Sequence, residues 1–135
     1  MSFEHSSGAV LYKNTENGRI YLLVREKKGH IGIPKGHLEP GETETDAAKR
    51  EIWEETSLKT PFIDGFKAES RYTTPLGNPK LVSYYLSCYD GCTPHLTDEV
   101  QELLELPFEA AMEALTHDAS KEILQLAEDY ICRNL

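Results

Sequence analysis

The chain is short of positive charge: 14 lysines and arginines stand against 23 aspartates and glutamates, a net charge of −9. Diffuse positive charge is therefore not available to bind nucleic acid or an anionic membrane, and a phosphate ligand has to be met by local groups. Cysteine is scarce too. Cys88, Cys92 and Cys132 are odd in number and lack C-x-x-C spacing, so neither a disulfide framework nor a zinc site is indicated, and reduced thiols in a cytoplasmic protein are expected. No apolar run, such as Tyr21–Val24, approaches the ~20 residues that span a bilayer, and the start MSFEHSSGAV lacks a basic-then-apolar leader pattern. Repeats, low-complexity tracts and linkers are likewise missing, which predicts one soluble domain over residues 1–135.

What is present reads as alternating strands and helices. Ser7–Tyr12 and Ile20–Val24 are β-rich runs joined across Asn17-Gly18, a hairpin signal. The Gly/Pro-rich stretch 29–42 interrupts regular structure, and a helical pattern follows from Thr43 to about Thr56, with Thr43 and Asp46 spaced as a capping pair. Strands are expected at Phe62–Thr73 and Lys80–Tyr89 around the PLGNP turn, then helices at Phe108–Leu115 and Ser120–Asn134. The second of these carries Ile123, Leu124, Ala127, Tyr130 and Ile131 as an apolar stripe that should lie on the sheet. The order predicts a mixed α/β or α+β layered fold.

The helix after Thr43 holds REIWEE at 50–55. Glu51 is three residues from Glu54 and four from Glu55, so these carboxylates crowd one face. Each such like-charge pair costs a helix roughly 0.2–0.5 kcal/mol, and Arg50 relieves only part of it. A solvated acidic face is the plain reading. A hard divalent cation is the chemical one, since ions of the Mg²⁺ type take a few carboxylates and leave room for water and phosphate oxygens. The loop before the helix, with Gly36, Gly41, Pro34 and Pro40, can return backbone carbonyls and Glu42 over the start of that helix.

The segment GHLEPGETETDAAKREIWEETSL, residues 36–58, resembles the Nudix box, G-x5-E-x7-R-E-U-x-E-E-x-G-U with U aliphatic. Gly36, Glu42, Arg50, Glu51, Ile52, Glu54, Glu55 and Leu58 match in type and spacing, and Ser57 stands where the pattern has its last glycine. A glycine there suits positive φ at a helix end, so a serine is expected to cost on the order of 1 kcal/mol without touching the chemistry. The resemblance implies an α/β/α sandwich with a mixed sheet between helices, and Mg²⁺-dependent hydrolysis of a nucleoside diphosphate linked to another group, with Mn²⁺ a possible substitute. By the same resemblance Glu51, Glu54, Glu55 and the Gly36 carbonyl hold metal, Arg50 orients the carboxylates, and one of Glu54, Glu55 or Glu51 acts as general base.

Outside the box, IGIPKGHLEPGE, GFKAESRYT, NPKLVSYYL and LTDEVQELLEL resemble the diadenosine tetraphosphate (Ap4A) hydrolase branch. That resemblance implies a polyphosphate held by His30, Lys35 and Lys80, a base against Tyr72 and Tyr84, and Glu99 added to the metal site. Plain alternatives stand beside each: Tyr84 and Tyr85 are neighbours on a strand, so one faces inward; Lys35 and Lys80 are otherwise solvated charges; His30 and His37 otherwise cap or pack. His117 and the cysteines are read as structural, and Trp53, spaced away from Glu51 and Glu55, as core. The expected substrate is a free small nucleotide acted on by a monomer, most directly Ap4A cleaved to ATP and AMP. The alternatives are RNA 5′-pyrophosphate or another nucleoside triphosphate, and a nucleotide-sensing module without turnover.

Overall fold

The computed structural model describes residues 2–135, and the hairpin at the N-terminus organises it. Strand β1 (Glu4–Thr15) turns through Asn17-Gly18 into β2 (Gly18–Arg25), with Tyr12 opposite Tyr21 and Thr15 opposite Gly18. Gly18 has φ 114°, a conformation that excludes most side chains, and the Thr15 hydroxyl donates to the Gly18 carbonyl at 2.6 Å. Two short strands follow, β3 (Ile31–Gly32) and β4 (Lys35–His37), then helix α1 (Glu44–Thr56), β5 (Ala68–Thr73), β6 (Pro79–Cys88), β7 (Glu102–Pro107), α2 (Phe108–Ala114) and α3 (Asp118–Asn134).

Among the described residues seven strands form one mixed sheet, ordered β3-β2-β1-β6-β5, with β4 also pairing β1 and β7 pairing β2. Strands β1 and β6 run parallel, placing Ser7 beside Ser83 and Ala9 beside Tyr85, while the other pairings are antiparallel. The result is the α/β/α sandwich expected. Alternation along β1 feeds both faces: Ala9 and Leu11 pack with Leu22, Ile52, Leu58 and Tyr89 beneath α1, whereas Val10 and Tyr12 join Tyr21, Leu23, Leu86 and the Ile123, Leu124, Ala127, Ile131 stripe of α3. No helix among the described residues is long and apolar enough to cross a membrane.

Three expectations need correction. The strand read at Phe62–Thr73 begins only at Ala68; Phe62 makes an isolated bridge to Ser87, and Gly65 at φ 96° breaks the segment between them. Lys35–His37, expected to be irregular, is a strand because Ser6–Gly8 of β1 pair with it antiparallel. Strand β7 lies in the part of the chain after Tyr89 expected to turn helical: Glu and Leu favour helix locally, and pairing with β2 overrides that preference.

Helix α1 is fixed at both ends. Thr43 and Asp46 form the capping box, the Thr43 hydroxyl accepting from the Asp46 N–H at 3.1 Å. At the other end Ser57 sits at φ 63°, ψ 21°, the left-handed conformation in which glycine carries no Cβ penalty. Ser57→Gly should therefore raise stability by about 1 kcal/mol, seen as a higher urea midpoint at unchanged slope. Next to the cap, burial alone would push the Glu44 carboxyl up, but hydrogen bonds from Lys67, Ser83 and His5 outweigh it and hold it at about 2. A folded value below the ordinary 4.5 adds stability that is fully present above that pH and is lost as pH falls towards 2. The stability difference between the wild type and Glu44→Gln should shrink over that acid window when unfolding is followed by denaturant titration.

Candidate functional site

The sheet-facing side of α1 carries Ala47, Ala48, Ile52, Glu55 and Thr56, so one of the crowded carboxylates points into the protein. Glu55 is only 8% exposed. Burial, and then the neighbouring charge of Glu51, push its carboxyl up to about 9, with Lys35 pulling the other way. Glu51 is raised as well, chiefly by burial, although Arg50 opposes the shift. Two close carboxylates thus lie in a poorly solvated place that lacks enough cationic charge.

Gly36 leaves the room for them. A Cβ built on Gly36 would lie 2.1 Å from the Glu51 carboxyl, so β4 can pass α1 at this point only without a side chain. Arg50 then fixes the surrounding acids. Its Nε and Nη2 donate to the two oxygens of Glu42 at 2.7 and 2.9 Å, its Nη1 donates to Glu51 at 3.0 Å and Glu54 at 2.8 Å, and Nη2 also reaches the His37 carbonyl at 2.9 Å. Those bonds to Arg50 hold the Glu42 carboxyl down at about 2, and the planar fork makes contacts that an ammonium group cannot duplicate. Glu99 lies on an exposed loop, two residues beyond Thr97, whose hydroxyl donates to the Glu54 carbonyl at 2.6 Å and ties that loop to the end of α1.

Lys35 precedes Gly36 on β4, so its side chain turns to the opposite sheet face. There a cavity of about 230 Å³ is lined by Glu26, His30, Lys35, Tyr72, Tyr84 and His117, among others. Tyr72 is 42% exposed at its rim, while Tyr84 is 3% exposed in its wall, which makes Tyr84 the inward member of the Tyr84–Tyr85 pair. Lys80, opposite Tyr72 in the register, is 9% exposed; burial, then the charge of Lys35, lower its ammonium pKa. His30 Nδ1 and His117 Nε2 are 3.1 Å apart, linking the β2–β3 loop to the start of α3. The end of the sheet therefore joins a carboxylate pole under α1 to a cationic and aromatic cavity under α3.

The sequence matches the NUDIX domain family over residues 4–127. The chain belongs to the Nudix family. It is 32% identical over 130 residues to an 8-oxo-(d)GTP phosphatase of Mycolicibacterium smegmatis, an alignment that takes in 89% of this chain and 40% of that protein, so the chain spans about two-fifths of that relative. It is 31% identical over 119 residues to the asymmetrical bis(5′-nucleosyl)-tetraphosphatase of Mus musculus, covering 83% of this chain and 80% of the relative. In fold it is similar to a Caenorhabditis elegans Ap4A hydrolase solved as a binary complex, with a TM-score of 0.89 and 24% identity over 96% of this chain and 98% of the other. As a Nudix hydrolase it falls in a class that generally uses divalent metals such as Mg²⁺.

The residues at the carboxylate pole fit such an ion in kind. Glu51, Glu54 and Glu55 with the Gly36 carbonyl are all hard oxygen donors, and Glu51 and Glu55, whose carboxyls are raised first by burial and then by like charge, sit where a cation would favour their ionised forms. Among the described residues no three His, Cys, Asp or Glu side chains converge as a ready ligand set; Glu54 and Glu51 are turned onto Arg50 instead.

Of the residues singled out in the sequence, His30, Lys35, Tyr72 and Tyr84 share the cavity, Gly36, Arg50, Glu51, Glu54 and Glu55 share the carboxylate pole, and Lys80, outside the cavity lining, pairs with Tyr72 in the register and feels the charge of Lys35. Two titratable side chains of the cavity carried no functional signal in the sequence. Glu26 had no motif around it, and His117, read as structural, faces His30 because it is the residue just before α3. Trp53 is corrected from core to surface: it is 48% exposed, because the side of α1 carrying Glu55 is the buried one and position 53 lies opposite. Gly36→Ala should displace the Glu51 carboxylate and lower kcat roughly 100-fold while secondary structure by circular dichroism stays unchanged.

Proposed function

We propose that this Nudix hydrolase cleaves Ap4A asymmetrically to ATP and AMP, by attack of water at a phosphorus near one end of the polyphosphate. The observation that carries the reading is the adjoining of the two poles: carboxylates for metal under α1, and Lys35, Lys80, His30 and two tyrosines where a polyphosphate and its base would continue. The similarity to bis(5′-nucleosyl)-tetraphosphatases over four-fifths of their length supports it. Glu51, Glu54, Glu55, the Gly36 carbonyl and Glu99 are the proposed Mg²⁺ donors, with Mn²⁺ as substitute. When bound, the ion would neutralise phosphate charge and polarise water.

Each side chain then has a task. Arg50 holds Glu42, Glu51 and Glu54 in orientation through its fork. Glu54 or Glu55, with Glu51 third, accepts the proton of the attacking water. Lys35, Lys80 and His30 take the phosphate oxygens away from the cleaved bond, and Tyr72, with Tyr84 behind it, stacks on adenine. The enzyme acts on the free dinucleotide as a cytoplasmic, single-domain monomer.

Chromatography of the products should give equal ATP and AMP, with label from ¹⁸O-water in only one of them. Glu55→Gln should lower kcat roughly 10²–10⁴-fold with KM little changed, whereas Tyr72→Ala should raise KM about tenfold. The likeness to an 8-oxo-(d)GTP phosphatase keeps a second reading, hydrolysis of a nucleoside triphosphate or of the 5′ end of RNA, and a substrate panel that favoured either over Ap4A would replace the first. Equal and negligible turnover by the wild type and Glu55→Gln across the panel would make the protein a nucleotide sensor.

A further inference from the structure

The exposed Trp53 borders a second concave surface. Between α1 and the segment 58–62 runs a groove of about 530 Å³, lined by Lys49, Trp53, Leu58, Lys59, Pro61 and Phe62. Lys59 Nζ lies 4.8 Å from the centre of the Trp53 ring and Lys49 Nζ lies 5.8 Å from that of Phe62. The Phe62 ring is also stacked with Tyr85, 5.1 Å between centres and 5° between planes, so it is held as a rigid wall. Among the described residues neither lysine takes part in an ion pair, whereas Arg50 is consumed by four glutamates.

We propose that this groove binds a nucleoside monophosphate, its base on Trp53 and its phosphate against Lys49 and Lys59, at a site apart from the His30–Tyr84 cavity and bordering the carboxylate pole only at Arg50. The groove falls in the usual range for small-molecule sites, roughly 300–1,000 Å³. An ammonium resting on an exposed indole competes with water for its place, so it is readily displaced. A base covers the same face with a larger area, and the released ammonium finds a phosphate oxygen to which it donates a charge-assisted hydrogen bond. Both ring and anion are needed to satisfy what the groove offers.

Other occupants match less of it. A second copy of the chain on a twofold axis would set Lys49 and Lys59 against their own kind. A nucleic-acid strand would meet the repulsion of a surface with net charge −9 beyond the one groove.

Trp53 is the chain's single tryptophan, so its fluorescence reports this groove directly. With EDTA present, so that nothing turns over, and with excitation at the red edge of the indole band, AMP should quench the emission saturably. Adenosine and ribose 5-phosphate, each carrying half of the recognition, should bind about tenfold more weakly or worse. The double variant Lys49→Ala/Lys59→Ala, altered only at exposed side chains, should weaken AMP about tenfold, and Tyr72→Ala should leave the titration as it was. The assignment is overturned by an unquenched Trp53, by undiminished AMP affinity in the lysine double variant, by loss of quenching in Tyr72→Ala, or by emission changes that follow protein concentration and sedimentation, which would mark self-association. An acidic, aromatic peptide displacing AMP at lower concentration than AMP itself binds would also replace it.

Discussion

A carboxylate that faces the interior is the constraint from which the site follows. Glu55 lies on the same side of α1 as Ala47, Ala48 and Ile52, the side that meets the sheet, and an ionised group there costs several kcal/mol unless it is paired. Lys35 is the cation whose charge is felt at Glu55, and Glu51, itself half removed from water, adds a like charge rather than relief. Arg50 cannot reach inward, since its donors are spent on Glu42, Glu51, Glu54 and a carbonyl on the outer side. The fold around this helix is arranged to keep that unsatisfied spot in place. Thr43 and Asp46 close its first turn, Glu44 is held by residues from β1, β6 and the segment before β5, and the Thr97 hydroxyl seizes the Glu54 carbonyl.

The division of labour between the two sheet faces comes from the period of a strand. On β4, Gly36 opens space towards α1 and Lys35 turns the other way into the cavity with His30, Tyr72 and Tyr84. A shift of register by one residue would set a lysine against Glu51 and a glycine in the cavity, undoing both poles at once. Gly8, facing Lys35 across the β1–β4 pair, is tied to the same register, because a Cβ there would lie 2.0 Å from the Pro34 carbonyl. Backbone pairing thus decides the chemistry on offer at each face.

The legible part of this arrangement was the part written in local spacing. The carboxylates, Arg50, Gly36 and Glu42 are separated by fixed intervals along one loop and one helix, and the capping pair and the left-handed Ser57 follow from rules that act within a few residues. The hairpin was visible for the same reason. What stayed hidden depends on partners far along the chain. Strand β7 exists through β2, and its Glu and Leu residues carry no strand signal of their own. His117 meets His30 across 87 positions of sequence, and Glu26 reaches the cavity beside His30, whose carbonyl accepts from the Glu26 N–H at 2.8 Å.

Trp53 shows how one wrong assumption propagates along a helix. Reading acids as solvent-facing makes the opposite residue core, and spacing alone cannot say which of the two sides is wet. The structure inverts the usual assignment: the Glu55 carboxylate goes towards the sheet and the indole goes out, each against its own solvation preference. A sequence that tolerates one such inversion has tolerated two on the same two turns, and the second follows geometrically from the first. Lys59 and Lys49 partly shield the aromatic faces that result, which lessens the exposure of apolar area but, among the described residues, leaves two ammonium groups outside any ion pair. The buried end of α1 around Glu55 therefore lacks positive charge, and among the described residues the groove at Lys49 and Lys59 lacks a paired acid, so a cation at one place and an anion at the other would each complete what the helix orientation leaves open.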